Sequence, residues 1–194
     1  MTRMRASVGA VTAAAVVGVL IAALTTGGGP SRARASGPFS WLAPSTPPAG
    51  WKLARTPAGA VLAYPPGWRP IVTDPGSASV ALTNKRGLIE GYLNATPTDG
   101  RETLANWTRF RPQHNREEGD RSVRLLAATS SAPFRTGRGS CVIDSYVTSR
   151  AAYREIACLV SGPTSSAVVV AAAPSALWDQ QAATLQKAVS SFRA

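Results

Sequence analysis

Histidine is almost missing from this sequence: His114 is the one imidazole in 194 residues, so any acid–base or nucleophilic scheme built on imidazole must run through it. It sits in a polar run, QHNREEGD (Gln113 to Asp120), and the chain contains no G-x-S-x-G nucleophile elbow. These gaps argue against an enzyme, with a cell-envelope hydrolase as the remaining catalytic alternative. Cysteine is limited to Cys141 and Cys158. One pair cannot build a structural zinc site, it forms no C-x-x-C redox motif, and it leaves no thiol near the N terminus for a lipid anchor. The densest acidic cluster, Glu117, Glu118 and Asp120, lacks the spacing of an EF-hand loop, and no glycine-rich phosphate loop is present. No cofactor and no metal are expected.

What the chain does have begins at its N terminus. Between Arg5 and Arg32 it runs 26 residues without a charge, and Ala6 to Leu24 is mostly Ala, Val, Leu and Ile after a basic start. The segment lies between a secretory signal, with an apolar stretch of about 7 to 15 residues, and a spanning helix of roughly 20. Ala33-Arg34-Ala35 has the A-x-A form of a cleavage site, which reads residues 1–35 as a signal peptide or a membrane anchor. Either fate places the remainder outside the cytoplasm, secreted or anchored. A Pro, Ser and Gly-rich linker follows (36–50), then one domain (51–194). Without Arg3, Arg5, Arg32 and Arg34, 17 basic residues face 10 acids, a net charge of +7 instead of the whole-chain +11. An arginine- and alanine-rich composition is what a GC-rich genome produces; the alternative reading is attraction to an anionic envelope surface.

The cysteines lie in two β-branched and aromatic runs, Ser140 to Thr148 and Ala151 to Val160, which read as an antiparallel hairpin. If Ser149 and Arg150 form a two-residue loop, Ile143 faces Ile156 and Cys141 faces Cys158, close enough for a disulfide. An oxidising compartment favours that bond. The same register sets Asp144 against Glu155, a like-charge pair that counts against it.

Along the domain, Trp51 to Arg55, Ala60 to Tyr64, Ser79 to Thr83, Leu88 to Ala95 and Ser122 to Thr129 read as strands between turn signals. A helix opens at Asp99-Gly100-Arg101-Glu102, places Leu104, Trp107 and Phe110 or Arg111 on one face, and stops at Pro112. Gln113 to Asp120 is expected as a polar loop. Ala167 to Ala173 (AVVVAAA) is wholly apolar, the pattern of a central strand buried on both faces. A final helix after Pro174 carries Trp178, Ala182, Leu185, Val189 and Phe192 in one apolar stripe. The expected fold class is therefore α+β, a mostly antiparallel sheet with helices packed on it.

The order of elements and two local signatures resemble a known family. Tyr64-Pro65-Pro66-Gly67-Trp68 is similar to the P-x-G-W opening of PsbP-like domains, which include exported actinobacterial proteins. The closing pattern Ala167 to Ala173, Pro174, Trp178, Leu185 and Ser190-Ser191-Phe192 is similar to their last strand and C-terminal helix. The resemblance spans roughly Trp51 to Phe192. It implies an αβα sandwich around an antiparallel sheet, in a family better known for binding and assembly than for catalysis; no ligand site carries over, because only structural residues match.

Two sets of residues are candidates for function. Arg109, Arg111, Arg116, Arg121 and Arg124 come from the helix end, the loop and the next strand, and would form a basic surface for an envelope protein or anionic envelope component. Interrupting acids and inward-facing aromatics argue against nucleic acid. Trp107, Trp178 and Phe192 are candidate pocket aromatics for a small apolar ligand held between the sheet and the C-terminal helix. The chain is read as a non-enzymatic, monomeric binding protein of the cell envelope, with the apolar-ligand carrier or sensor as the alternative.

Overall fold

The computed structural model describes residues 37–194. The export-like segment and the question of its cleavage lie outside the described residues. Among those described, no helix is long and apolar enough to cross a membrane.

Among the described residues, nine strands and two α-helices follow one another as β1 (Lys52–Arg55), β2 (Val61–Tyr64), β3 (Arg69–Ile71), β4 (Ala78–Thr83), β5 (Ile89–Pro97), α1 (Trp107–Glu117), β6 (Arg121–Phe134), β7 (Gly137–Val147), β8 (Ala152–Ser161), β9 (Ser166–Pro174) and α2 (Trp178–Ser190). β1 and β2 form a small ribbon, and the rest build one seven-stranded sheet in the order β3-β4-β5-β9-β8-β7-β6. Every pairing is antiparallel. β9 is the middle strand, as its unbroken apolar run requires. α1 covers one face of the sheet and α2 the other, an αβα sandwich.

The β7–β8 hairpin has the register expected from its two-residue loop: Cys141 faces Cys158, Ile143 faces Ile156 and Asp144 faces Glu155. Cys141 and Cys158 are disulfide-bonded, with Cα atoms 4.1 Å apart. Because strand side chains alternate, one face of the hairpin presents Cys141, Ile143, Ile156 and Cys158 to α2, and the other presents Val142, Asp144, Glu155 and Ala157 to α1.

The α2 face is filled. Trp178, Leu185, Val189 and Phe192 lie in the large core with Leu62, Leu93, Ile156 and Val169. The P-x-G-W signature closes one edge of this core: Gly67 takes a left-handed conformation (φ 89°) that favours glycine, and Trp68 is buried beyond it. The Trp68 ring lies where a side chain at Gly91 would stand, since a Cβ there would come within 2.5 Å of it. Residues 37–50 have no helix or strand, but they lie on this body instead of trailing as a tether: Leu42 is buried and Ser45 N–H donates to the Ser190 carbonyl at 3.0 Å.

α1 departs from its expected limits. Thr103 and Asn106 bond reciprocally, Thr103 N–H to Asn106 Oδ1 (2.7 Å) and Asn106 N–H to Thr103 Oγ1 (3.2 Å), so regular helix starts only at Trp107. Pro112 does not stop it. The helix passes through the proline to Glu117, so Gln113 to Glu117 are helical and only the end of the expected loop is loop. Packing on the sheet outweighs the backbone hydrogen bond a proline forfeits.

A charged cleft beneath helix α1

One stripe of α1 faces the sheet, spaced by four: Trp107, Arg111 and Asn115. Each turn meets the next position along the hairpin. Trp107 Nε1–H donates to the Ala157 carbonyl at 3.1 Å, Arg111 reaches Glu155, and Asn115 reaches Asp144. The stripe thus begins as apolar packing and ends as a charged network.

Arg111 donates twice to Glu155, Nε to Oε1 at 2.7 Å and Nη2 to Oε2 at 3.0 Å, and the Tyr146 hydroxyl donates to Oε2 at 3.1 Å. Glu155 and Asp144 are both wholly buried, directly opposite each other, and only one guanidinium lies between the pair and the helix. Burial opposes the Arg111 charge, yet Glu155 beside it holds the guanidinium above its ordinary pKa. Asp144 is pushed up to about 8, first by burial and then by Glu155. It therefore keeps its proton at neutral pH, which removes the like-charge penalty of the register. Burial, then Glu155, likewise raises the Tyr146 hydroxyl. Asn115 Nδ2 donates to Asp144 Oδ2 at 3.3 Å, while Asn115 Oδ1 and Asp144 Oδ1 find no partner among the described residues.

Beside this network a cleft of about 350 Å³ opens between α1 and the sheet. Its floor is Asn94 and Thr96 of β5, Val168 and Val170 of β9, and Glu155; Trp107, Phe110, Arg111, His114 and Asn115 form the roof. Asp74, Asp99, Glu102, Glu118 and Asp120 line the mouth and ends, so six of the chain's ten acidic residues face one cleft. Burial, then Glu118 and Glu155, raises Asp120 above the ordinary carboxylate range. On the β4–β5 side, Ser79 Oγ bonds Asn94 Oδ1 (3.0 Å) and meets Thr73 Oγ1 (2.6 Å). Asn94 belongs to an Asn-x-Thr triplet, and its burial leaves no room for a glycan.

The candidate basic surface does not assemble as expected. Arg109, Arg116, Arg121 and Arg124 are exposed, but Arg111 turns inward to Glu155 because it shares the stripe of Trp107. Arg116 folds back on the Pro112 and Val123 carbonyls. Of the pocket aromatics, Trp107 lines the cleft, whereas Trp178 and Phe192 lie in the filled core. The recess is under α1, not under the C-terminal helix. His114 lies 3.2 Å from Glu118 and stacks on Phe110. No three His, Cys, Asp or Glu groups among the described residues are placed to hold one metal ion. Asp144 and Glu155 were legible in the sequence only as an objection to the hairpin register; a buried like-charge pair across from an arginine on the neighbouring helix was the signal.

No family model matches the chain, and no curated protein matches it. Solved structures do. The solution structure of cyanobacterial PsbP (CyanoP) from Synechocystis sp. PCC 6803 is similar at a TM-score of 0.54 and 16% identity, over 75% of this chain and 92% of that one. A Pseudomonas aeruginosa protein of unknown function, described as a putative regulator, aligns at 0.49 and 11% identity, over 74% of this chain and 96% of that one. LpqN of Mycobacterium tuberculosis, involved in cell envelope biogenesis, aligns at 0.36 and 13%, over 67% of this chain and 78% of that one. The CyanoP match shows that the fold is PsbP-like.

Proposed function

We propose that the chain is an exported, non-enzymatic binding protein of the cell envelope, and that its binding site is the cleft between α1 and the sheet. The uncharged N-terminal run and the Cys141–Cys158 disulfide support a working place outside the cytoplasm. One observation carries the site. The α2 face is closed by packing, while the α1 face keeps an open, largely polar recess with Trp107 and Phe110 in its roof and a buried ion pair behind it, in the size range of small-ligand clefts, about 300–1,000 Å³. A non-catalytic role is supported by the bonding of both cysteines, which removes them as nucleophiles, and by the burial of Asp144 away from the cleft. The test is mass spectrometry of small molecules released from the full chain purified from its host, beside a Thr96→Trp variant that fills the cleft. A compound retained by the parent and absent from the variant is expected; identical profiles would refute the cleft as the site.

A second reading, a partner protein at the sheet edge, is favoured by β6. This 14-residue edge strand leaves Leu125 (47% exposed) and Leu126 (48%) in solvent beside Arg121 and Arg124. Crosslinking in the envelope fraction with a Leu125→Lys/Leu126→Lys variant checks it, because loss of a reproducible partner is expected only if that edge is used.

A further inference from the structure

We infer that the cleft takes a small organic cation with separated ammonium or guanidinium groups on an apolar stem, its donors reaching Glu102 at one end and Asp120 and Asn115 at the other, with Trp107 and Phe110 beside the stem; this rests on the cleft being the binding site. Three observations lead there. First, the charge is distributed against the trend of the molecule: a domain of net charge +7 gathers six of its ten carboxylates around one recess, with Arg111 and His114 as the basic residues lining it. Three of the six are already paired, Glu155 with Arg111, Asp99 with Arg101 and Glu118 with His114, which leaves Asp74, Glu102 and Asp120 without an ion pair among the described residues. Second, the orphaned polar atoms of the cleft are acceptors. Asn115, only 1% exposed, lines the cleft and its Oδ1 receives no hydrogen bond among the described residues, and Glu102, which also lines it, has an Oε2 buried without a partner among them. Buried acceptors left unmet are costly, and a ligand that donates N–H groups satisfies them where an apolar or anionic one does not. Third, Trp107 and Phe110 stand with ring centroids 6.0 Å apart and both line the cleft. Phe110 already carries the Arg101 guanidinium 5.6 Å from its ring centroid and stacks on His114, so what the two rings offer a ligand is an apolar wall for its alkyl stem.

The carboxylates are dispersed along the recess, and no three converge to coordinate a single metal ion among the described residues. That spacing suits a cation carrying separated donors. Its source is either a free polyamine or a peptide with neighbouring lysine and arginine side chains, and the two share the same recognition.

The experiment is calorimetry and ¹H–¹⁵N NMR on the full chain in non-ionic detergent, titrated with spermidine, with a capped Lys-Ala-Arg peptide, and with glutarate and hexanol as anionic and neutral probes. The Trp107 indole N–H, assigned with Trp107→Phe, reports occupancy. Saturable binding of spermidine or of the peptide with Kd below about 1 mM is expected, weakened about tenfold in Glu102→Gln/Asp120→Asn and unchanged in Asp179→Asn, which removes a carboxylate on α2. Tight spermidine with weak peptide identifies a free polyamine; the reverse identifies a side chain. Equal weakening by Asp179→Asn, or no saturation with either cation, overturns the inference. Glutarate or hexanol shifting Trp107 when the cations do not would retain the cleft as the site and reject its charge preference.

Discussion

The two faces of the central sheet are built from the same strands and put to opposite uses. Toward α2, alternate residues of β7, β8 and β9 are Cys141, Ile143, Ile156, Cys158 and Val169, the helix returns Leu185 and Val189, and Phe192 just beyond its end completes the packing, so the interface closes. Toward α1 the other alternates include Asp144 and Glu155, the helix returns Arg111 and Asn115, and a cleft stays open. A buried ion pair is poor evidence of stabilisation, because desolvating two charges offsets their attraction. Its presence on one face alone, beside the recess, is what the proposed binding role of this face rests on; the other face holds the fold.

The largest effects should come from breaking either interface by truncation. Phe192→Ala is expected to cost about 3–5 kcal/mol through the cavity it leaves in the filled core. Glu155→Ala should cost a similar amount, about 3–5 kcal/mol, but for a different reason: it strands the Arg111 charge under the helix. Urea unfolding separates the two when repeated across pH, since only the second variant also changes the titration of Asp144.

The architecture was more legible than the site because period-2 and period-3.6 patterns belong to single segments. The β7–β8 register followed from one loop length, and the central place of β9 from Ala167 to Ala173 alone. The α1 cleft is a product of segments far apart in the chain, Asp74 before β4, Asn94 and Thr96 on β5, Arg111 on the helix, Glu155 on the hairpin and Val168 and Val170 on β9, and no local pattern brings them together. Arg111 looked like a surface residue beside Arg109 and Arg116. It is inward because it falls one turn after Trp107, a spacing already visible once that tryptophan is taken as packed. Trp178 and Phe192 looked able to wall a pocket for the same reason that they wall a core: both uses need large apolar side chains.

A smaller loss is expected from the staple on the filled face. Replacing Cys141 and Cys158 with alanine opens a link across 17 residues that the hairpin already orders, so about 1–3 kcal/mol should be lost, measured as a lower urea midpoint. An effect of similar size and opposite sign is a gain. Asp144 titrates near 8 when folded and near the ordinary carboxylate value when unfolded. Below about pH 4 both states hold the proton and the group contributes nothing. Between about 4 and 8 the unfolded chain ionises first, so stability falls as pH rises. Asp144→Asn keeps an acceptor for Asn115 and should raise stability by about 1–3 kcal/mol at pH 8 and by nothing near pH 4.

The claim that the charged face serves binding instead of folding is tested most directly by making it resemble the other face. Arg111→Met/Glu155→Leu replaces the ion pair with apolar side chains of comparable size. Its unfolding free energy and its affinity for spermidine should be measured on the same preparation. The expected result is stability held or raised with weakened binding. Stability lost by several kcal/mol with spermidine affinity unchanged would contradict it.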